Sequence, residues 1–150
     1  QFDTIYHEHY SYLSLTAVRR IFAANGLDLF DVEELHTHGG SLRLFAQRAG
    51  GPHPVVPTVA AMLERETEAG VCTAGYYRGF QAAAERIKND LLRFLLDARA
   101  ASLKVGAYGA AAKGNTFLNY AGVGARQIAC AFDANPHKQG RFLPGTHLPI

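Results

Sequence analysis

Around Ser102 the apolar residues stop recurring every three or four positions and begin to run continuously, and this switch of period most narrows the possible folds. Upstream, Tyr76, Phe80, Ala83, Ile87, Leu91, Phe94 and Ala98 step by threes and fours. That spacing predicts one long helix over residues 74–101, with a continuous apolar stripe facing a core or a neighbouring domain. Downstream, residues 103–108 form a short apolar strand that empties into Gly109-Ala110-Ala111-Ala112-Lys113-Gly114-Asn115-Thr116. A helical segment follows from Phe117 to about Ala121. Residues 127–132 then make a second apolar strand, closed by Asp133-Ala134-Asn135-Pro136. Strand, glycine loop, helix, strand and acid open a doubly wound α/β unit.

The first half is punctuated differently. Leu15, Val18, Ile21 and Phe22 lie at helical spacing with Arg19 and Arg20 opposite, Ser14 placed as N-cap and Gly26 just past the end. Leu27, Leu29 and Val32 then alternate with polar residues, as do Leu42, Leu44 and Ala46. Two strands bracketing His38-Gly39-Gly40 predict an antiparallel hairpin with a loop longer than two residues. Residues 50–57, GGPHPVVP, read as a linker, and residues 58–69 as a helix stopped by Gly70.

Composition excludes some classes. A net charge of +2, dispersed over 150 residues, gives no footprint for nucleic acid. Arg19-Arg20 is the wet edge of a helix. Cys72 and Cys130 are distant and make no CxxC pair, which suits buried thiols in a reducing cytoplasm. No apolar run reaches the roughly 18–20 residues of a membrane span, so no membrane partner is expected. The chain starts at Gln1, close to its most chemically dense segment, and stops at Leu148-Pro149-Ile150 as a strand begins; it reads as a piece of a longer protein.

A glycine loop entering a helix N-terminus suits an anion, because unpaired N–H groups and the helix dipole favour phosphate there. The spacing of Gly106, Gly109 and Gly114 departs from GxGxxG, and Lys113 precedes the last glycine, so neither a nicotinamide fingerprint nor a Walker loop is present. The glycines could simply permit close packing of strand and helix. Lys113, Asn115 and Thr116 argue instead for a diphosphate or sugar, with Asp133 placed for ribose hydroxyls and His137 at the same edge of the sheet.

The segment IYHEHYSYLS, residues 5–14, admits three readings. His7 with His9, and His36 with His38, could ligate zinc or iron from strand faces, but no third-ligand pattern accompanies them and no metal site is expected. The cluster could be a polar strand end, although so many Tyr, His and Glu side chains are costly to bury unpartnered. The favoured reading is catalytic. An imidazole with a pKa of about 6.5 can take a proton, a carboxylate can orient it, and tyrosine hydroxyls can donate to an oxyanion. That combination suits removal of a proton next to a carbonyl.

Four stretches in this order, FDTIYHEHYSYLSLTAVRRIF, ELHTHGGSLRL, VGAYGAAAKGNTFLNYAGVG and FDANPHKQGRFLPGTHLPI, resemble the nucleotide-sugar C-methyltransferases. The resemblance implies S-adenosylmethionine as methyl donor, bound largely outside this chain, and zinc only in a cysteine-rich N-terminal module also outside it. It implies a nucleotide diphosphate sugar as the small-molecule partner, made into a branched deoxysugar. It makes His9 the base, with Tyr6 and Glu8 assisting. His7, the HGGS turn with His38, Gly39 and Ser41, and the loop residues Gly109, Lys113, Asn115, Thr116, Asp133 and His137 would hold the substrate. The implied fold is α/β. Residues 1–49 would end a class I methyltransferase domain (a helix plus antiparallel hairpin), residues 50–102 would be linker helices, and residues 103–150 a partial Rossmann-like βαβ unit. These residues alone are not expected to transfer a methyl group. The alternatives are a noncatalytic nucleotide-sugar or dinucleotide-binding module, or a histidine metal site.

Overall fold

A computed structural model describes residues 2–150, which pack as two compact units: residues 10–79, and residues 2–9 together with 80–150. In the first unit, α1 (Leu15–Ala24) starts where Ser14 Oγ accepts a hydrogen bond from the Ala17 N–H at 3.2 Å. It ends at Asn25, and Gly26 takes the left-handed conformation at φ 71° that releases the chain into β1.

Strand β1 (Leu27–Leu35) pairs antiparallel with β2 (Ser41–Arg48), as the alternation predicts. The register slips between Leu29 and Asp31, so Phe30 is an extra residue in a β-bulge. This is why Leu29 and Val32, an odd number of positions apart, are both buried at 6% exposure. Phe30 turns to the other face, where it meets Phe45 at 6.2 Å and stacks on His53 at 4.8 Å. The GGPHP stretch is accordingly tied down. His53 exchanges two hydrogen bonds with the Gln47 side chain, and the Val56 N–H donates to Phe30 O at 2.9 Å.

Helix α2 (Pro57–Glu68) opens on a proline in its first turn, where a missing N–H costs nothing, and is left through Gly70 at φ 76°. Its Val59 and Met62 complete a core with Leu15, Leu29 and Val32. Glu66 joins this helix to α1: its carboxylate accepts from the Leu15 N–H at 2.7 Å, the Thr16 N–H at 2.8 Å and the Thr16 hydroxyl at 2.6 Å. Burial opposes ionisation of Glu66, but these bonds and one from the Ser14 hydroxyl together outweigh it and hold the carboxyl below its ordinary value of 4.5. A depressed folded-state value contributes stability above the unfolded-state value, and that stability disappears as pH falls through the folded-state value. Thermal melts of Glu66→Gln at neutral pH should therefore show a loss of about 1 kcal/mol, the scale of a lost helix cap at a half-exposed site. The two proteins should converge only as pH falls through that depressed folded-state value, because the wild-type carboxylate is itself protonated below it.

The long helix expected over residues 74–101 is divided. A single turn, α3 (Ala74–Tyr77), is separated from α4 (Phe80–Ala100) at Arg78-Gly79, because Gly75 and Gly79 each weaken helix by about 1 kcal/mol relative to alanine. The stripe is also rotated. Ala98 is buried as expected, but so are Ala84 and Leu95 off the stripe, while the expected Tyr76, Phe80, Ile87 and Phe94 stay about half exposed.

In the second unit, β3 (Ala107–Tyr108) and β4 (Ala131–Phe132) form a parallel pair, connected through α5 (Ala112–Ala121). The regular pairing is short, but Ala129 N–H to Val105 O at 2.8 Å and Gly109 N–H to Phe132 O at 2.7 Å continue the ladder on both sides. Helix α5 ends at Gly122 in the left-handed conformation. Leu95 of α4, Leu118 and Ala121 of α5, and Ile128, Ala131, Leu143 and Leu148 make the core. The chain is thus mixed α/β, with the glycine loop at the carboxyl edge of a parallel strand pair. No helix among the described residues is long and apolar enough to cross a membrane.

Candidate active site

Tyr6 to His9 lie on a folded turn and not on a strand. Residues Phe2–Thr4 make one 3-10 turn, from which Ile5, Tyr6 and His9 donate backbone bonds to Phe2, Thr4 and Tyr6 carbonyls at 3.0, 3.0 and 2.9 Å. The turn is anchored by Phe2, whose ring meets Phe117 edge-on at 5.8 Å and Tyr120 at 4.9 Å, both on α5. Tyr120 is held in turn by donating its hydroxyl proton to Glu85 of α4 at 2.8 Å.

His9 Nδ1 lies 2.7 Å from Thr4 O. A carbonyl oxygen only accepts, so Nδ1 carries the proton and the lone pair of the neutral ring is on Nε2. The Tyr6 ring packs on the imidazole with centroids 4.3 Å apart. The structure therefore brings together Tyr6 and His9. It places Glu8 beside His7 instead, at 3.8 Å, with the two side chains 69% and 80% exposed. The group that orients the His9 ring is the Thr4 carbonyl, a backbone atom with no signature in the sequence. His7 and His9 do not share a strand face, and among the described residues no three His, Cys, Asp or Glu side chains are placed to hold a metal.

The HGGS turn sits between β1 and β2. His38 is exposed and takes a left-handed φ of 55°, uncommon outside glycine, followed by Gly39 at 81° and Gly40 at 118°. The Ser41 hydroxyl donates to Thr37 O at 3.1 Å. Ser41, Gly40, His36, Glu34 and Ser14 line a cleft of about 430 Å³.

At the glycine loop, Gly109 has φ 94°, and Ala111, at the N-cap, supplies no side-chain cap to α5. The first helical bond is Asn115 N–H to Ala111 O at 3.0 Å, so Ala112, Lys113 and Gly114 form the open first turn where an anion is favoured. Two expected ligand groups turn back on the helix: Thr116 donates its hydroxyl to Ala112 O at 3.1 Å, and Asn115 Oδ1 accepts from Asn119 at 3.3 Å. Asp133 occupies the expected edge, but its carboxylate accepts from the Asn135 N–H at 2.8 Å, Lys138 Nζ at 3.1 Å and the Ala110 N–H at 2.8 Å. The Asn135 amide, Lys138 and the Ala110 amide, in that order, hold the carboxyl below its ordinary value. The His137 N–H bonds to Asn135 Oδ1 at 3.0 Å, and its side chain is exposed.

The chain is therefore an α/β protein with a glycine loop between parallel strands and an imidazole fixed by a backbone carbonyl. Residues 36–150 match the family described as the C-methyltransferase C-terminal domain, and the chain belongs to that family. Over 150 residues it is 39% identical to the C-methyltransferase NovU of Streptomyces niveus, a match that covers all of this chain and 36% of that protein. The resemblance to C-methyltransferases read from the four motifs is borne out at the level of the family.

Proposed function

We propose that this chain is part of an enzyme that methylates carbon next to the ketone of a nucleotide-linked deoxysugar, with His9 as the base. The observation that carries this reading is the Nδ1–Thr4 O bond of 2.7 Å, which commits Nε2 to accepting a proton. The α-hydrogen passes to Nε2, the electron pair moves onto the carbonyl oxygen as an enolate, and the imidazolium keeps its bond to Thr4. Tyr6, whose ring packs on the imidazole, donates its hydroxyl to the developing oxyanion in this reading. Glu8 assists from the same turn, and His7 beside it contacts the substrate.

The diphosphate is read as bound at the first turn of α5 by Gly109 and Lys113, with Asn115 and Thr116 shaping that turn. His137 contacts the sugar or nucleoside; His38, Gly39 and Ser41 are assigned to the substrate by the resemblance alone. S-adenosylmethionine would supply the methyl group. The residues described do not fit it, since the acid of their one strand–glycine loop–helix unit is occupied by its own loop, so the donor is assigned to other parts of the enzyme. By the same reading residues 1–49 close a methyltransferase domain, residues 50–102 connect it in sequence to a second α/β domain begun by residues 103–150, and the enzyme works in the cytoplasm.

Incubation of the enzyme with a thymidine diphosphate ketosugar in deuterium oxide, without methyl donor, tests the proposal. Deuterium is expected at the carbon α to the ketone, and its uptake should depend on His9. Tight binding with no exchange would leave a noncatalytic binding module.

A further inference from the structure

Both polar backbone atoms of Ala110 are held by side chains from beyond β4: its N–H donates to Asp133 Oδ2 at 2.8 Å, and its carbonyl accepts from Lys138 Nζ at 2.9 Å. Lys138 also reaches Asp133 Oδ2 at 3.1 Å, and the other carboxylate oxygen takes the Asn135 N–H at 2.8 Å. The Asp133 side chain is 12% exposed. A carboxylate has about four acceptor positions. Three of them are filled from within the protein. Ala110 lies between the left-handed Gly109 and the N-cap Ala111, so what fixes Ala110 also fixes the direction in which α5 starts.

In doubly wound folds the acid after the second strand commonly takes the ribose hydroxyls. We propose that here Asp133 and Lys138 act instead as a latch that sets the glycine loop for a diphosphate, so that Asp133 does not read the ribose. This rests on the assignment of the diphosphate to the first turn of α5. The consequence is a specificity rule: nucleoside diphosphates differing only in ribose hydroxyls bind alike, because discrimination comes from the phosphates.

Titration calorimetry with uridine 5′-diphosphate and its 2′,3′-dideoxy analogue decides the matter. Wild type is expected to bind both within about twofold, while Asp133→Asn, which puts an amide against the Ala110 N–H, weakens both by the same factor of about ten. Lys138→Met, which keeps the acid but frees the Ala110 carbonyl, should weaken both in parallel and serves if Asp133→Asn does not fold. A role in folding alone would lower stability and leave the affinity of the folded protein unchanged; that result overturns the latch. So does a wild type that binds the dideoxy analogue at least about tenfold more weakly, with the difference erased in Asp133→Asn. If neither probe binds wild type, the diphosphate assignment fails, and hydrogen exchange at the Ala110 amide judges the latch alone. Exchange at least about tenfold faster in Asp133→Asn supports it, and an unchanged rate overturns it.

Discussion

His9→Asn is expected to slow uptake of solvent deuterium at the α-carbon by about 10²- to 10⁴-fold, the usual contribution of a positioned general base. Asparagine is a suitable replacement because its amide can still donate to the Thr4 carbonyl, which His9 engages through Nδ1 at 2.7 Å. The turn over residues 6–9 is thereby kept while the proton acceptor is lost. The loss should fall on the rate and spare the affinity for the nucleotide diphosphate, whose proposed contacts are at α5. Steady-state exchange rates set beside calorimetric binding of the same ligand separate the two. Equal losses in both would mean that the substitution had disturbed the turn and not only removed a base.

Leu15→Ala should cost about 2–5 kcal/mol, the range for truncating a fully buried leucine when the surroundings relax only partly. Leu15 has 0% exposure and sits at the first residue of α1, where its side chain meets Leu29, Val32, Val59 and Met62 and its N–H is capped by Glu66. Alanine keeps the capped N–H and removes the packing. Urea unfolding followed through NMR signals of β1 and β2 should report the loss. The packing at risk is that of residues 10–79, so signals from β1 and β2 are the appropriate probe, whereas those from β3 and β4 report a different core.

What was legible in the sequence was whatever a cap or a glycine announces. Ser14 and Gly26 bound α1, Gly70 ends α2, and Gly109 marks the turn after β3. But Lys113 to Thr116, expected in a loop before a helix from Phe117, already lie in α5, because only Gly109 takes a left-handed φ there. Two features of the packing were hidden. The bulge at Phe30 leaves no mark beyond two leucine-type positions that fail to alternate. On α4 the eye follows Phe80, Ile87 and Phe94; Ala98 of that stripe is buried, but the rest of the buried line runs through Ala84 and Leu95, and an alanine weighs little in a hydrophobic pattern.

The site divides in the same way. The density of histidine, tyrosine and glutamate over residues 6–9 was visible, and so was an acid after β4. Their backbone partners were not, because His9 is held by the carbonyl of Thr4 and Asp133 by the N–H of Ala110, whose carbonyl goes to Lys138. Lys138, five residues beyond Asp133, was a side-chain clue to the second arrangement.

Nitrogen-15 NMR of the ring nitrogens, with the His9 signals assigned among the 7 histidines by their absence from His9→Asn, addresses the base directly. In the neutral form, Nδ1 should show a directly bonded proton and Nε2 none. A neutral ring protonated at Nε2 instead would leave His9 without its acceptor nitrogen and contradict the account.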